Sequence, residues 1–241
     1  MIPKVIHYCW FGRNPMPKSA LKCIESWRKF CPDYEIKEWN EDNFDVNATT
    51  YTMQAYARKK YAFVSDYARF LILHTHGGLY FDTDVELIKP IDDIVADGAF
   101  MGIEKAAPGV NPGLGLAAEK GEPIYKEIID YYATLSFVDD DGNQIPGTVV
   151  KHTTDVLKRH GLKEEDRFQS IAGINIYPNE YFNPLDDATG RLGITANTRS
   201  IHWYSKTWVN NYGSVRTWIT RRIHRYFGVN SISWIKKLIN R

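Results

Sequence analysis

Little in this sequence points to a disulfide framework, a membrane span or a nucleic-acid partner. Its 241 residues hold only three cysteines, Cys9, Cys23 and Cys31. They form an odd set crowded near one end, which fits neither paired bridges nor a C-x-x-C metal pair. Thiols this sparse read as reduced, as in a protein kept inside the cell. No apolar stretch nears the roughly 20 residues that cross a bilayer. The opening Met1-Ile2-Pro3-Lys4 runs straight into a strand-like segment without an apolar leader, so the expected location is cytoplasmic. A formal net charge of +1 marks no nucleic-acid binder. There is no Walker or G-x-G-x-x-G spacing and no G-x-S-x-G elbow, which argues against a phosphate loop and against a serine hydrolase. Asp139-Asp140-Asp141-Gly142-Asn143 lacks the alternating ligands and distal Glu of an EF-hand loop and reads as a solvated turn.

One absence is positional. No acidic residue follows Asp187: up to that point 29 acids face 20 bases, a balance of −9, and the rest carries 10 bases alone. A basic tail usually meets an anionic surface. From Val215 to Phe227 the apolar residues Val215, Trp218, Ile219, Ile223, Tyr226 and Phe227 form a helix stripe among arginines, and a second stripe follows from Ile232. Two readings stand: an interfacial helix at the inner face of a membrane, and a terminal helix pair packed on the domain. We divide the chain into a domain over 1–212 and a basic tail over 213–241.

What is present is ordinary for a globular protein, with 44% hydrophobic and 24% charged residues, so disorder is not expected. The length suits one well-buried α/β domain. Lys4 to Trp10 reads as a buried strand, and Lys18 to Phe30 as a helix with Leu21, Ile24, Trp27 and Arg28 along one side. Tyr34 to Trp39 alternates as a second strand. Such a β-α-β opening predicts parallel strands with ligand chemistry at their C-terminal ends. Met53 to His76 is the longest helical pattern, with Phe63, Tyr67, Phe70, Leu71 and His74 on one stripe and Gly77-Gly78 as its stop. A strand from Leu79 to Phe81 then delivers Asp82-Thr83-Asp84. Further elements are expected at Ala99–Ile103 (strand), Ile124–Tyr132 and Thr148–His160 (helices). Asn111-Pro112-Gly113-Leu114-Gly115 reads either as a flexible loop beside an acceptor or as a plain turn.

Asp82 and Asp84 stand two apart, so on an extended segment both side chains leave one face. Two such carboxylates can grip a hard divalent cation, which in turn neutralises a diphosphate leaving group. D-x-D also occurs by chance in many solvated loops, and it is the context that gives it weight. Upstream, Asp66 and Arg69 share a helix face at i and i+3, and the double glycine lets helix and strand pack closely enough to aim all four side chains at one pocket. A glycoside hydrolase would also use two carboxylates, about 5 Å apart. Alternate residues on one strand suit ligation better.

The run A-F-V-S-D-Y-A-R-F-x-I-L-x-x-x-G-G-L-Y-F-D-T-D, the opening I-P-K-V-I-H-Y-C-W-F-G, the Ser26-Trp27 pair with Pro32 to Ile36, and the late segment from His202 to Trp208 together resemble family 32 glycosyltransferases. Fungal mannosyltransferases, capsule transferases and the glucosylating domains of large bacterial cytotoxins share this likeness. The resemblance implies an α/β fold of the GT-A type, a Rossmann-like mixed and mostly parallel sheet flanked by helices. It also implies a nucleotide-sugar donor, by expectation a UDP-sugar, and transfer with retained anomeric configuration to a glycan or lipid-linked acceptor. A Mn2+ or Mg2+ ion would be held by Asp82, Asp84 and His202. Donor contacts would come from His7, Trp10, Ser65, Asp66, Arg69, Tyr80, Asp82 and Trp208, with Trp10 stacked on the base. Asp66, Arg69 and Asp84 would be the catalytic set. Where the family commonly ends the late segment in Ser-Trp, this chain has Thr207-Trp208. Two other readings are a protein-modifying transferase and a non-catalytic glycan- or nucleotide-sugar-binding module.

Overall fold

The protein is described by a computed structural model that covers residues 1–105, 109–205, 220 and 222–224. Trp208 and nearly all of the tail from 213 onward lie outside the described residues. In chain order the first elements are β1 (Val5–Cys9), α1 (Lys18–Phe30), β2 (Glu35–Trp39), α2 (Thr50–Ala57), α3 (Tyr61–His76), β3 (Gly78–Tyr80), β4 (Val85–Leu87) and α4 (Asp92–Ala96). They are followed by β5 (Phe100–Gly102), β6 (Leu116–Ala118), α5 (Pro123–Ala133), α6 (Val149–Arg159), β7 (Gln169–Ile171) and β8 (Ile174–Tyr177). Last come α7 (Asn179–Phe182), β9 (Leu185–Asp186), β10 (Arg191–Leu192) and β11 (Ser200–His202).

Seven strands make one sheet in the order β2-β1-β3-β6-β5-β8-β7. The β-α-β opening gives the parallel pair that its pattern predicts, β1 with β2, and β3 lies parallel to β1 on its other side. The sheet is mixed because β6 runs antiparallel to both β3 and β5, and β7 antiparallel to β8. Alternation along the central strands feeds two cores. Ile6, Tyr8, Leu79 and Phe81 face the side covered by α1, whereas Cys9 and Tyr80 face the side covered by α2, α3 and α5.

Three local expectations are corrected. The single helix from Met53 to His76 is two helices, because Lys59 turns left-handed at φ 58 and Lys60 N–H closes back on Ala55 O at 2.9 Å. That is a helix-ending turn without the usual glycine, so no residue type announces it. The α3 stripe also understates burial: everything from Phe63 to Phe70 is buried, making α3 a central core helix rather than an amphipathic one. In α1 the buried face is Ala20, Cys23, Ile24 and Trp27, while Leu21 is 51% exposed.

The double glycine behaves as its position suggests. Gly77 takes φ 69 at the end of α3, and Gly78 takes φ 103 where β3 begins. A Cβ on Gly78 would stand 2.7 Å from Val5 O in the neighbouring strand. Replacing Gly78 with Ala is therefore expected to lower the unfolding free energy by roughly 2–3 kcal/mol, from strained backbone and a displaced strand together. Urea unfolding of the two proteins measures it, and a loss below half a kcal/mol would contradict the close approach.

All three cysteines are buried and free. No helix among the described residues is long and apolar enough to cross a membrane. Within the tail, Thr220 and residues 222–224 are helical, and His224 Nδ1–H reaches Ala188 O in the β9–β10 hairpin at 3.3 Å.

Candidate active site

The C-terminal end of β3 opens into a cleft of about 760 Å³, lined by parts of the chain far apart in sequence. Its floor is the Asp82-Thr83-Asp84 segment, which is a turn and not an extended strand: Val85 N–H donates to Asp82 O at 3.0 Å. The two carboxylates converge through this turn rather than through strand pleating, which corrects the sequence-based geometry while keeping its outcome. Beyond the turn, β4 pairs antiparallel with β11, Val85 opposite His202. That pairing carries a residue 118 positions away to the side of Asp84.

One carboxylate oxygen each from Asp82 and Asp84 and one ring nitrogen of His202 lie within 4.8 Å of one another. The two carboxylate oxygens suit a hard divalent ion such as Mn2+ or Mg2+, and the added imidazole nitrogen favours Mn2+ of the two. His202 Nδ1 is buried and has no hydrogen-bond partner among the described residues, the kind of orphaned atom an absent ligand would engage. The residues thus fit the cation that the sequence implies. His202 Nε2 sits 3.1 Å from Asp84 Oδ1. Asp84 Oδ2 accepts from Ser205 N–H at 2.7 Å and Ser205 Oγ–H at 2.9 Å. Burial alone would raise the Asp84 carboxyl, but His202 and Ser205 win and hold it below the usual carboxylate range. Burial likewise opposes charge on His202, and Asp84 overcomes it, raising that imidazole.

Beside this triad, Arg69 is 2% exposed and joins two carboxylates. Its Nη2 lies 3.0 Å from Asp66 Oδ1 and 3.2 Å from Asp82 Oδ1. The guanidinium is aimed from behind: Nε–H donates to Ser65 O at 2.9 Å, Nη2–H to Ser65 Oγ at 3.2 Å, and its Cζ lies 4.9 Å from the centre of the Tyr80 ring. Tyr80 O–H in turn donates to Asp82 Oδ1 at 3.0 Å. Burial pushes the Asp66 carboxyl up to about 7, with Asp82 adding and Arg69 opposing. Asp66 is thus a buried acid within reach of its protonated form at neutral pH, beside a guanidinium that stays charged.

Of the residues singled out from sequence, Trp10, Ser65, Asp66, Arg69, Tyr80, Asp82, Asp84 and His202 all line the one cleft. Trp10 is half-buried where it lines the cleft, and its indole N–H donates to Asn14 O at 2.7 Å. Trp208 lies outside the described residues. His7 is elsewhere: it is buried and is not among the cleft-lining residues. Nδ1 accepts from Trp39 Nε1–H at 3.0 Å and Nε2–H donates to Gly77 O at 3.0 Å. Both ring nitrogens are occupied, so His7 braces β1 against the α3–β3 corner.

That placement has a consequence for pH. Burial pushes His7 down from 6.5 to about 4, the Gly77 bond opposing and the charges of His76 and Lys37 adding. A second proton would also have to displace the Trp39 N–H. The unfolded chain therefore binds a proton that the folded one refuses between about pH 6.5 and 4, and stability falls as pH drops through that window. The expected loss is on the order of 2 kcal/mol. Urea midpoints at pH 7.5 and 4.5 should differ less in His7→Gln than in the wild type, and an equal difference would contradict this.

The Asn111-Pro112-Gly113-Leu114-Gly115 segment, for which the sequence allows an acceptor-side loop or a plain turn, packs against this site. Gly113 is pressed against the floor, where a Cβ would run into Asp82 Oδ2, and its carbonyl accepts Asp82 N–H at 3.4 Å. The Asn-Pro-Gly segment is therefore a turn built against the acidic floor. Asn111, Glu104, Phe63 and the first turn of α6 complete the wall. Glu104 and the first turn of α6 carry no sequence signal of their own and are brought here by the fold.

Residues 17–101 match the model of a glycosyltransferase sugar-binding region containing a DXD motif. The chain is 33% identical over 194 residues to a glycosyltransferase of Acanthamoeba polyphaga mimivirus, covering 77% of this chain and 74% of that protein. It is 27% identical over 140 residues to inositol phosphoceramide mannosyltransferase 3 of Schizosaccharomyces pombe, of whose length it spans 38%. Among solved structures, the PaToxG glycosyltransferase superposes with a TM-score of 0.50 at 20% identity, over 66% of this chain and 69% of that one.

Proposed function

This chain belongs to the glycosyltransferases with a DXD-containing sugar-binding region and has their GT-A fold, and from that premise we propose that it is a divalent-metal-dependent, retaining hexosyltransferase using a nucleotide-sugar donor. The observation that carries this reading is the meeting of Asp82, Asp84 and His202 within 4.8 Å at the floor of the cleft. A cation bound there would neutralise the charge that builds on a departing nucleoside diphosphate. The chain's own groups have separate tasks. Trp10 offers an aromatic face to the base. Arg69 and Asp66 take the donor hydroxyls, the guanidinium donating and the carboxyl able to act in either protonation state. Ser65 and Tyr80 keep Arg69 and Asp82 in place. The buried pairing around Arg69 supports a pre-set pocket, since groups already ordered need not reorganise as charge develops.

The donor we infer is a nucleotide-hexose. The resemblance favours a UDP-sugar, while the fungal relatives, named as mannosyltransferases, favour mannose. For the acceptor we infer a glycan or lipid-linked glycan. The test is a donor panel (UDP-glucose, UDP-galactose, UDP-N-acetylglucosamine and GDP-mannose) incubated with the full chain in Mn2+, Mg2+ or chelator. Slow release of the nucleoside diphosphate from one donor, dependent on the ion, is expected. Donor cleavage unchanged under chelation would reject the metal reading, and no cleavage of any donor would reject the donor reading.

A further inference from the structure

Four non-glycine residues among those described adopt a positive φ, and one of them, Tyr204 at φ 51, stands between two groups that hold Asp84. An L-residue with a bulky side chain rarely accepts this conformation, and where it persists the surroundings over-determine it. Here the surroundings are specific. The phenol O–H donates to Asn183 Oδ1 at 2.9 Å, with Glu104 Oε1 at 3.3 Å sharing the same proton. Asn183 is itself fully buried, and its Oδ1 also accepts Lys105 N–H at 2.8 Å while its own N–H closes α7 on Asn179 O. The Tyr204 ring packs on the His202 imidazole with centroids 4.2 Å apart.

The consequence lies on either side. His202 reaches Asp84 Oδ1, Trp203 N–H donates to Asp84 O at 3.0 Å, and Ser205 reaches Asp84 Oδ2 with two hydrogens. A strand continuing past His202 would carry Ser205 away from the turn. The left-handed residue between them folds the segment back, so that one carboxylate is gripped from both sides.

We propose that Tyr204, anchored through Asn183, is a positioning residue for the cation site: it holds the 202–205 turn so that His202 and Asp84 present their ligand atoms together. The inference rests on the cation-site reading given above. Partners behind metal ligands typically change metal affinity by 10–100-fold when removed. Tyr204→Phe keeps the ring against His202 and loses only the anchor. Tyr177→Phe serves as the comparison, because it removes a phenol hydrogen bond to Asp97, at 3.1 Å, away from the cleft.

The experiment titrates Mn2+ into the full chain, alone and with UDP, and reads free Mn2+ by electron paramagnetic resonance. Circular dichroism and thermal unfolding in chelator report the fold. Tyr204→Phe is expected to stay folded and to bind Mn2+ about tenfold more weakly, while Tyr177→Phe binds as the wild type does. In turnover, the Mn2+ concentration for half-maximal rate should rise by the same factor, with kcat recovering at saturating Mn2+. Equal affinity in wild type and Tyr204→Phe, with binding lost in Asp84→Asn, would overturn the positioning role and leave the site standing. A weakening of the same size in Tyr177→Phe would also overturn it. No saturable Mn2+ binding by the wild type under either condition would remove the cation site, and the inference with it.

Discussion

Asp84→Asn is expected to cut metal-dependent donor cleavage by about 10³-fold while the protein remains folded. An amide keeps the shape of the side chain, and its oxygen can still accept the two Ser205 hydrogens. What it lacks is charge. Asp84 is held below the usual carboxylate range by His202 and Ser205, so it is an anion at every pH where the enzyme is assayed. Removing one fixed electrostatic group from a pre-ordered site typically lowers a rate by ~10²–10³-fold, and losing a charged ligand also weakens the ion itself. Initial rates of nucleoside diphosphate release across a Mn2+ titration measure the effect, with circular dichroism confirming the fold. A variant within tenfold of wild type at saturating Mn2+ would contradict the role given to Asp84.

The largest stability effect should come from Arg69. Arg69→Ala leaves the buried Asp66 and the partly exposed Asp82 without the cation that now lies 3.0 and 3.2 Å from them. Breaking a buried pair by removing one partner typically costs about 3–5 kcal/mol, because the remaining charge is uncompensated. Asp66, already pushed up to about 7 by burial, would go higher still and take up a proton on folding. Stability of the variant should then rise as pH falls toward 5, opposite in sign to the His7 contribution. Arg69→Lys is the informative companion. A single ammonium restores charge but not the fork that spans Ser65, Asp66 and Asp82, so it should recover part of the stability and little of the activity. Urea unfolding at pH 7.5 and 5.5 checks both variants; an Arg69→Ala protein within 1 kcal/mol of wild type would contradict the pairing.

How much of this was legible in the sequence depends on how local the cause was. The Gly77-Gly78 corner was readable because only glycine sits easily at φ 69 and φ 103. Asp66 and Arg69 were readable because i and i+3 on a helix meet wherever the helix lies. The Lys59 break was not, since a lysine carries no left-handed signature and three basic residues look like any exposed helix face. Spacing alone suggested that Asp82 and Asp84 share a strand face. Their convergence in fact comes from a turn closed by Val85 N–H and a partner strand 118 residues on. Non-local pairing likewise decides the fates of His7 and Gly113. His7 is consumed by Trp39 and Gly77, contacts that depend on how β2 and α3 dock. Gly113 meets Asp82 only because β6 returns antiparallel beside β3.

The central claim is that Asp82, Asp84 and His202 share one divalent ion facing a nucleoside diphosphate. The most direct measurement is a crystal of the full chain grown with Mn2+ and UDP, with anomalous diffraction collected at the manganese edge. The account predicts a single strong peak within about 2.0–2.4 Å of a carboxylate oxygen of Asp84 and of a His202 ring nitrogen, with the diphosphate against it. A nucleotide bound in the cleft with no anomalous peak at these residues, or with the ion held by other side chains, would contradict it.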